Sequence, residues 1–471
     1  MICTLTPVLC PPFSAGCLIQ ICRMLEVRQA GPMIKGEIGH GPAVALVVAN
    51  MIGTGVFTSL GYQLEALPSA FPILVLWAVG GVLSFCGALC YAELVSIWPR
   101  SGGEYHLLRE AYHPLAGFMA GWVSLVAGFA APIALASMAF GRYMAKLGVP
   151  VEPMVLAAGA VVLVTVIMLG STSAVGRFLG ALTVLKVSLI LAFMAGALVP
   201  TATVATAATV VPVSLLPKPG DWDLMISGGF ATSLVYVMYA YTGWNGAAYV
   251  AGDLRDPQRS VPLALLGGTV LVMLLYIGLN VAFLVKAPWE SLRSEPEVAL
   301  AAAKAIFGER GGAWMGGLIA FGLLSMLTGL TWAGSRVHQR LGQDLVRLSF
   351  LARVNKHGAP VGAVLLQGGL ALLLLLSGTF DAVLNYVEAL LLVSSLLAVL
   401  AVIWLRVRRP DLVRPFKVPL YPLPPLLFAG ATGYMMWFLV GQRPQELMWG
   451  GVTLLVGGVL YAGLRGWQES V

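Results

Sequence analysis

The sequence predicts an all-α polytopic membrane protein with twelve transmembrane helices. Of its 471 residues, 59% are hydrophobic and only 10% are charged, and the mean hydropathy is +0.88. Apolar runs long enough to cross a bilayer recur along almost the whole chain, and no polar block of even about 50 residues could form a soluble domain. A soluble globular protein cannot have this composition, so any function must lie within the helical bundle.

The apolar runs divide the chain into twelve predicted spans, numbered one to twelve in chain order. Each run is long enough to cross the hydrocarbon core, with bounds that are uncertain by several residues. The predicted spans are 42–64, 72–98, 115–147, 154–170, 178–199, 228–251, 262–286, 314–334, 361–377, 382–405, 424–440 and 447–464.

The distribution of basic residues predicts the orientation of these spans. With the N-terminus inside, 19 of the 28 Lys and Arg residues lie on the cytoplasmic side, eight lie outside and Lys186 lies within the membrane. This asymmetry follows the positive-inside rule and indicates an even number of spans with both termini cytoplasmic. Because the basic residues are scattered between apolar runs and are not gathered on one face, nucleic acid is not an expected partner.

The first 32 residues are expected to be a disordered or misassigned extension, with translation starting at Met1 or at a later Met such as Met33. Four of the six cysteines lie in this segment, and Cys86 and Cys90 lie four residues apart in an apolar run. Neither group has the spacing of a metal site or suggests a disulfide framework. The remainder, 33–465, is predicted to be a single transmembrane domain.

Two spans contain residues that interrupt a helix near the middle of the bilayer. Thr242 and Gly243 weaken span six, and the sequence Gly53-Thr54-Gly55 weakens span one. A single glycine could be explained by close packing between helices, but paired breaks in corresponding positions of two halves indicate a transporter binding site at the repeat interface. We therefore predict inverted repeats at about 42–199 and 228–405, followed by two extra helices at about 424–464.

Several motifs resemble those of the amino acid-polyamine-organocation (APC) superfamily, specifically its L-amino acid transporter branch. The resemblance covers nearly everything after Met33 and implies the leucine-transporter fold, with ten helices in a 5+5 inverted repeat and two C-terminal helices. The motifs are Gly53-Thr54-Gly55, Tyr91-Ala92-Glu93-Leu94, Pro99-Arg100-Ser101-Gly102-Gly103-Glu104-Tyr105, Tyr239-Ala240-Tyr241-Thr242-Gly243-Trp244-Asn245 and Ser335-Arg336.

The resemblance implies that the two broken helices hold the zwitterionic part of an amino acid. A broken helix offers free N–H groups where one half starts and free carbonyl groups where the other half stops. The N–H groups and hydroxyl of Gly53, Thr54 and Gly55 would bind the carboxylate. Glycine is expected here because a Cβ would block close approach of the ligand.

The ammonium group would be bound by carbonyl oxygens of Met51, Tyr239 and Thr242, again by resemblance. Tyr239 occupies the place where relatives carry an aromatic gate over the substrate, although an aromatic ring packed within the bundle is an equal alternative. Gly243 completes the second break, and Asn245 is expected beside the pocket for the substrate side chain.

Lys186 is predicted to carry the coupling or to replace a coupling cation. It lies about nine residues, or about 13 Å, into span five from Arg177, near the depth where a charge is most costly. Its ammonium group would bridge spans one and five through carbonyl oxygens near Gly53. It would lose a proton during transport or remain charged and hold span one. The alternative is a lysine that snorkels to the inner interface.

Five further charged residues are not among the predicted site residues. Glu93, Arg100, Glu104 and Arg109 are expected in a solvated cytoplasmic loop or in a structural role at the inner gate. Glu388 could recognise a cationic side chain, but a position in an outer vestibule or at the lipid interface is an equal alternative.

The sequence thus predicts a secondary transporter that moves neutral L-amino acids across the cell membrane by proton symport or exchange. The alternatives are a carrier of cationic amino acids or polyamines and a receptor or scaffold that does not transport. The spans contain no cluster of His, Asp or Glu that would suggest an enzyme or a metal site, and no cofactor is expected. The expected partners are an amino acid, the lipid bilayer and protons.

Overall fold

The computed structural model describes residues 39–170, 172–198, 214–293, 295, 297–377 and 380–465. Within these ranges the chain is helical and forms no β-sheet, apart from an isolated bridge between Val354 and Pro360. The predicted N-terminal extension, its four cysteines and the question of a start at Met33 lie outside the described residues.

Each predicted span coincides with one helix or with two or three consecutive helices in the described ranges, so the prediction of an all-α polytopic membrane protein is confirmed. Nine of the described helices are long and apolar enough to cross a membrane. The spans, in order, are His40–Met51 with Thr54–Ala66, Ala70–Ile97, Pro114–Val123 continued by a π-helix Ser124–Ala130 and by Ala131–Lys146, Pro153–Met168, Thr172–Leu198, Gly228–Tyr241 with Gly246–Tyr249, Pro257–Lys286, the later part of Val298–Asp344, Val361–Ser377, Phe380–Arg408, Leu423–Gln442 and Pro444–Arg465.

Span eight differs most from its predicted bounds, because its helix extends beyond the apolar run at both ends. The helix Val298–Asp344 has one non-helical residue, Gly308, with φ 72° and ψ 177°. Only glycine adopts such a conformation readily, so Gly308 separates an outer helix from the span itself. Hydropathy predicts which residues lie in the membrane, but a helix can extend beyond it. The helix of span eight continues past Gly334, where the apolar run ends, to Asp344.

Short helices connect several of the spans. The one that matters for the site is Gly103–Ala111, which lies between spans two and three and packs against span ten. The others are Asp221–Met225, Trp289–Leu292 and two 3₁₀ helices, Ala251–Asp253 and Val346–Ala352.

Span one lies at the centre of the bundle and span twelve at its edge. In the most apolar window of span one 89% of the residues are buried, compared with 11% in span twelve. A helix that is buried on all sides does not face lipid, so the apolar residues of span one pack against other parts of the protein. Both interrupted spans contribute to the large buried core.

Glu93 is not solvated, contrary to one of its two predicted environments. It is 1% exposed, and its carboxylate binds Arg406 Nε at 3.0 Å and the backbone N–H of Val418 at 2.7 Å. Arg414 Nε lies 3.4 Å from the same carboxylate. These contacts attach the segment after span ten to span two, which is a structural role.

Candidate functional site

The helix of span one is interrupted for two residues. Its first half ends at Met51 and its second half begins at Thr54, while Ile52 and Gly53 have extended backbone angles. This interruption leaves the last carbonyl groups of one half and the first N–H groups of the other without helical partners. The predicted break is therefore present at the predicted position.

Span six is interrupted at the residues that the sequence indicated. Its first half ends at Tyr241, Thr242 is extended with φ −50° and ψ 138°, and Gly243 has φ 104°. The helix resumes at Gly246. A side chain at Gly243 would be strained by this positive φ, so glycine is required there for the backbone conformation itself.

The two interruptions touch each other. A Cβ at Gly243 would lie 2.8 Å from the backbone carbon and oxygen of Asn50, and a Cβ at Gly55 would collide with the backbone of Ala240. The hydroxyl oxygens of Thr54 and Tyr239 lie 2.8 Å apart. We predicted glycine for ligand access, but at Gly55 and Gly243 the nearest groups are protein backbone, so these glycines allow spans one and six to meet.

A single cavity is lined by all eight residues that were predicted to bind the substrate. They come from both sides of each break, and the short helix Gly103–Ala111 and spans three, eight, ten and eleven complete the wall. The eight residues are Met51, Gly53, Thr54, Gly55, Tyr239, Thr242, Gly243 and Asn245. The structure brings them together, and their binding roles remain predictions.

Two of the carbonyl groups predicted to hold an ammonium group already accept one hydrogen bond each. The Met51 carbonyl accepts from the Tyr276 hydroxyl at 2.5 Å, and the Tyr239 carbonyl accepts from the Thr242 N–H at 3.0 Å. A carbonyl oxygen has two lone pairs, so each can accept a second hydrogen bond.

Lys186 contacts the end of the first half of span one. Its side chain is 1% exposed, and Nζ donates to the carbonyl oxygens of Ala49 at 3.1 Å and Ile52 at 2.8 Å. The carbonyl end of a helix carries partial negative charge, which favours a cation there. The lysine does not snorkel to the interface, and its coupling role remains a prediction.

Glu104 was missed as a residue of the cavity. It is 4% exposed, and its Oε1 accepts hydrogen bonds from Asn245 Nδ2 at 2.6 Å, the Tyr91 hydroxyl at 2.8 Å and the Tyr249 hydroxyl at 3.2 Å. Its other oxygen has no hydrogen-bond partner within the described ranges. The expectation of a solvated loop is therefore wrong for Glu104, and Asn245 is bound to a carboxylate instead of being free.

The signal for Glu104 was present in the two glycines that precede it. Gly102 and Gly103 have φ of 128° and 52°, which turns the chain back toward the bundle, and a Cβ at Gly103 would collide with the ring of Tyr249. Arg100 and Arg109 lie nearer to water, and Arg109 Nη1 binds Asp344 Oδ2 at 2.8 Å.

Glu388 also lines the cavity, so the interpretation as a vestibule or lipid-interface residue is wrong. It is 2% exposed, and its Oε1 lies 3.0 Å from Thr242 Oγ1 at the break of span six. The same Thr242 oxygen lies 3.1 Å from the carbonyl oxygen of Met238. A carboxyl group therefore adjoins Thr242, the residue that follows the first half of span six.

Comparison with known proteins agrees with this arrangement. A family model described as "Amino acid permease" matches residues 42–459. The chain is 26% identical over 440 residues to the b(0,+)-type amino acid transporter 1 of Mus musculus, which covers 91% of this chain and 88% of the relative. It is 28% identical to the human cystine/glutamate transporter, covering 90% and 84%, and 27% identical to the Asc-type amino acid transporter 1 of Mus musculus, covering 90% and 80%.

Proposed function

Since this chain belongs to the amino acid permease family, we propose that it moves neutral L-amino acids across the cell membrane by alternating access. The chain is a multi-pass membrane transporter and not an enzyme. Four points are our proposals: that the substrate has a neutral side chain, that its transport is coupled to protons or to exchange, that the protein lies in the cell membrane, and that both termini are cytoplasmic.

The observation that carries this proposal is the contact between two interrupted helices inside one buried cavity. The N–H groups at the start of the second half of span one would bind the substrate carboxylate, together with the Thr54 hydroxyl. The free lone pairs of the Met51, Tyr239 and Thr242 carbonyls would bind the ammonium group. Every amino acid shares these two groups, so the backbone can hold them without a charged side chain.

Two sets of contacts close the cavity from opposite ends in this proposal. The Thr54–Tyr239 hydrogen bond joins the second half of span one to the first half of span six. Glu104 joins the short helix Gly103–Ala111 to Asn245 and Tyr249 of span six. Opening to one side requires one set to separate while the other persists, which is the condition for alternating access.

Lys186 would take the place of a coupling cation by holding the first half of span one. Its two hydrogen bonds to the Ala49 and Ile52 carbonyls occupy groups that a bound cation would otherwise have to satisfy. The positive charge would remain with the protein through the cycle and keep the break of span one in shape.

Carriage of basic amino acids or polyamines is a second candidate function. Glu104 and Glu388 both line the cavity, and none of its lining residues in the described ranges is Lys, Arg or His. An acidic cavity favours a substrate with an extra positive charge. The neutral class remains the proposal because the two carboxylates have other partners, which are Asn245 and two tyrosines for Glu104 and Thr242 for Glu388.

Counterflow in proteoliposomes tests the proposed function. Vesicles loaded with unlabelled L-leucine should take up labelled L-leucine well above protein-free vesicles, and L-isoleucine should compete. Isoamylamine, which lacks the carboxylate, and 4-methylpentanoate, which lacks the ammonium group, should not compete. Stronger competition by L-arginine or spermidine would favour the second candidate, and transport of neither leucine nor arginine would reject both.

A further inference from the structure

Glu388 is deeply placed for an acidic residue in a membrane helix. It lies eight residues from Phe380, where span ten begins, which corresponds to about 12 Å along the helix axis. The far end at Arg408 is about 30 Å away by the same measure. An ionised carboxylate at such a position is costly unless a cation or several hydrogen-bond donors stabilise it.

The described surroundings of Glu388 provide no such cation. The cavity lining contains no basic residue in the described ranges, and Lys186 is occupied with the carbonyls of span one. Span ten packs against spans two, three, six, eleven and twelve and against the helix Gly103–Ala111. The titratable groups that these elements place on the cavity are Tyr239, Tyr249 and Glu104, with Tyr91 bonded to Glu104. Arg142 lies over the Phe380 ring at the start of span ten.

The two carboxyl groups of the cavity have unequal hydrogen bonding. Glu104 accepts from three donors, which stabilises its ionised form. Within the described ranges, Glu388 has one hydrogen-bond partner, the Thr242 hydroxyl. Two carboxylates on one buried cavity disfavour simultaneous ionisation, and the less well supported group is the one that takes a proton.

The hydroxyl of Thr242 connects the protonation of Glu388 to the break of span six. Its oxygen lies within hydrogen-bond distance of both the Met238 carbonyl and Glu388 Oε1, but it has only one hydrogen. When Glu388 is protonated, the carboxyl can donate to Thr242 while Thr242 donates to Met238. When Glu388 is ionised, it competes with Met238 for the Thr242 hydrogen at the end of the helix.

We infer that Glu388 binds the proton that accompanies each amino acid through the transport cycle. This inference rests on the proposed function and names its coupling ion and site. One proton passes from the outer aqueous phase to the Glu388 carboxylate when the cavity faces outward. The same proton leaves for the cytoplasm when the cavity opens inward, so one proton enters with each neutral amino acid.

Proteoliposomes separate this inference from the proposed function. With wild-type protein, an inside-alkaline gradient of one pH unit should drive up to about tenfold accumulation of L-leucine at one proton per leucine. Addition of L-leucine outside should also acidify the lumen, as reported by trapped pyranine. Leucine counterflow with neither effect would reject the inference and leave the proposed function intact.

The variant Glu388→Gln tests the residue, because an amide of the same shape can donate to Thr242 but cannot release a proton. Leucine counterflow should remain measurable above protein-free vesicles, because exchange needs no net proton movement, whereas gradient-driven accumulation should fall from about tenfold to none. Glu309→Gln, which changes a carboxylate that is 81% exposed, should behave as wild type. Full accumulation by Glu388→Gln would overturn the inference.

One further outcome and one substitute variant also test whether Glu388 binds the transported proton. If wild type prefers L-arginine without a pH gradient and Glu388→Gln loses that preference, the carboxylate recognises a basic side chain and the inference is wrong. Should Glu388→Gln fail to fold, Thr242→Val replaces it, since loss of the hydroxyl should shift the pH of half-maximal leucine uptake. An unchanged pH profile in Thr242→Val would contradict the inference.

Discussion

The hydroxyl oxygens of Thr54 and Tyr239 lie 2.8 Å apart and connect the second half of span one to the first half of span six. Both side chains are buried, with exposed fractions of 0% and 4%. Since the two residues belong to different spans, their hydrogen bond lasts only while the spans stay together. In the proposed transport cycle, this hydrogen bond would belong to the conformation in which that end of the cavity is closed.

The variant Tyr239→Phe should weaken leucine binding, because it keeps the ring and removes only this hydrogen bond. A hydrogen bond of this kind contributes about 1 kcal/mol, so the dissociation constant for L-leucine should rise about fivefold. Isothermal titration on purified protein measures it. Tyr386→Phe, which removes a bond to Thr453 outside the cavity, is the matched control and should leave the constant unchanged. Equal weakening by both variants would contradict the prediction.

The positions of the two breaks were predictable from sequence, but their mutual contact was not. Thr242 and Gly243 lower helix propensity locally, and the Gly53-Thr54-Gly55 sequence does the same, so both breaks are visible without a structure. The approach of Gly55 to Ala240 depends on how spans one and six face each other. The packing of the two spans is a tertiary contact, and the local sequence pattern within each helix does not predict it.

Glycine substitutions at the two breaks should therefore have different consequences. Gly243→Ala forces a Cβ to within 2.8 Å of the Asn50 backbone at φ 104°, so we expect loss of monodisperse protein in size-exclusion chromatography. Gly53→Ala meets only the thioether end of Met326, which can move, so this variant should fold and bind leucine poorly.

Gly430→Ala provides the matched control for both substitutions. Gly430 lies in the helix of span eleven, and a Cβ there meets no atom within 4 Å. The substitution should leave yield and leucine binding unchanged and raise helix propensity slightly. Normal folding of Gly243→Ala alongside this control would show that the close approach of spans one and six is not required.

The variant Lys186→Met should abolish or strongly reduce leucine counterflow, because it keeps the stem and removes the ammonium group from the Ala49 and Ile52 carbonyls. Two buried carbonyl groups would lose their donor, at a cost of about 1–3 kcal/mol each. Lys304→Met, at a side chain that is 43% exposed, is the control. Wild-type counterflow by Lys186→Met would remove the lysine from the mechanism.

Residual transport in Lys186 variants also separates its two predicted roles. If the lysine only holds span one, any remaining leucine uptake in Lys186→Met should still respond to an imposed pH gradient. If the lysine itself releases the proton, the remaining uptake should be independent of the gradient. Measurement of uptake at equal and unequal pH across the vesicle membrane distinguishes these outcomes.

The two acidic residues of the cavity show where sequence reasoning stopped. Composition places Glu104 in a polar connection and Glu388 near the end of a span, and both assignments follow from distance along the chain. The positive φ angles of Gly102 and Gly103 fold the connection into the bundle, which reverses the environment of Glu104. Burial of a polar group is a property of packing, so it cannot be read from hydropathy.

Asn245→Asp should weaken leucine binding, because it replaces the donor that binds Glu104 Oε1 at 2.6 Å with a second carboxylate. Repulsion between the two should also increase the preference for L-lysine over L-leucine, as expected for an added negative charge in the cavity. The combination of Asn245→Asp with Glu104→Gln restores one donor and one carboxylate in the pair. Competition assays should show recovery of leucine binding in the double variant.

Failure of the double variant to recover would mean that Glu104 and Asn245 do not act as a pair. A double-mutant cycle also needs the single variant Glu104→Gln, which measures the effect of losing the carboxylate when Asn245 is intact. An additive outcome, with the double variant as weak as the sum of the single losses, contradicts the prediction.

The proposed orientation of the chain can be tested at two connections of opposite location. If the N-terminus is cytoplasmic, the connection after span three is outside and the connection between spans eight and nine is inside. Val151 in the first connection is 41% exposed, and His357 in the second is also exposed. Neither residue lines the cavity, so a cysteine at either position should leave transport intact.

Val151→Cys should react with a membrane-impermeant maleimide in intact cells, whereas His357→Cys should react only after permeabilisation. Both are placed in a variant in which all six native cysteines are replaced by serine. The unsubstituted variant supplies the background, and leucine counterflow verifies that each protein is functional. Because an interchange of sides would put 19 basic residues outside, labelling of His357→Cys in intact cells would refute both the orientation and the proton direction assigned to Glu388.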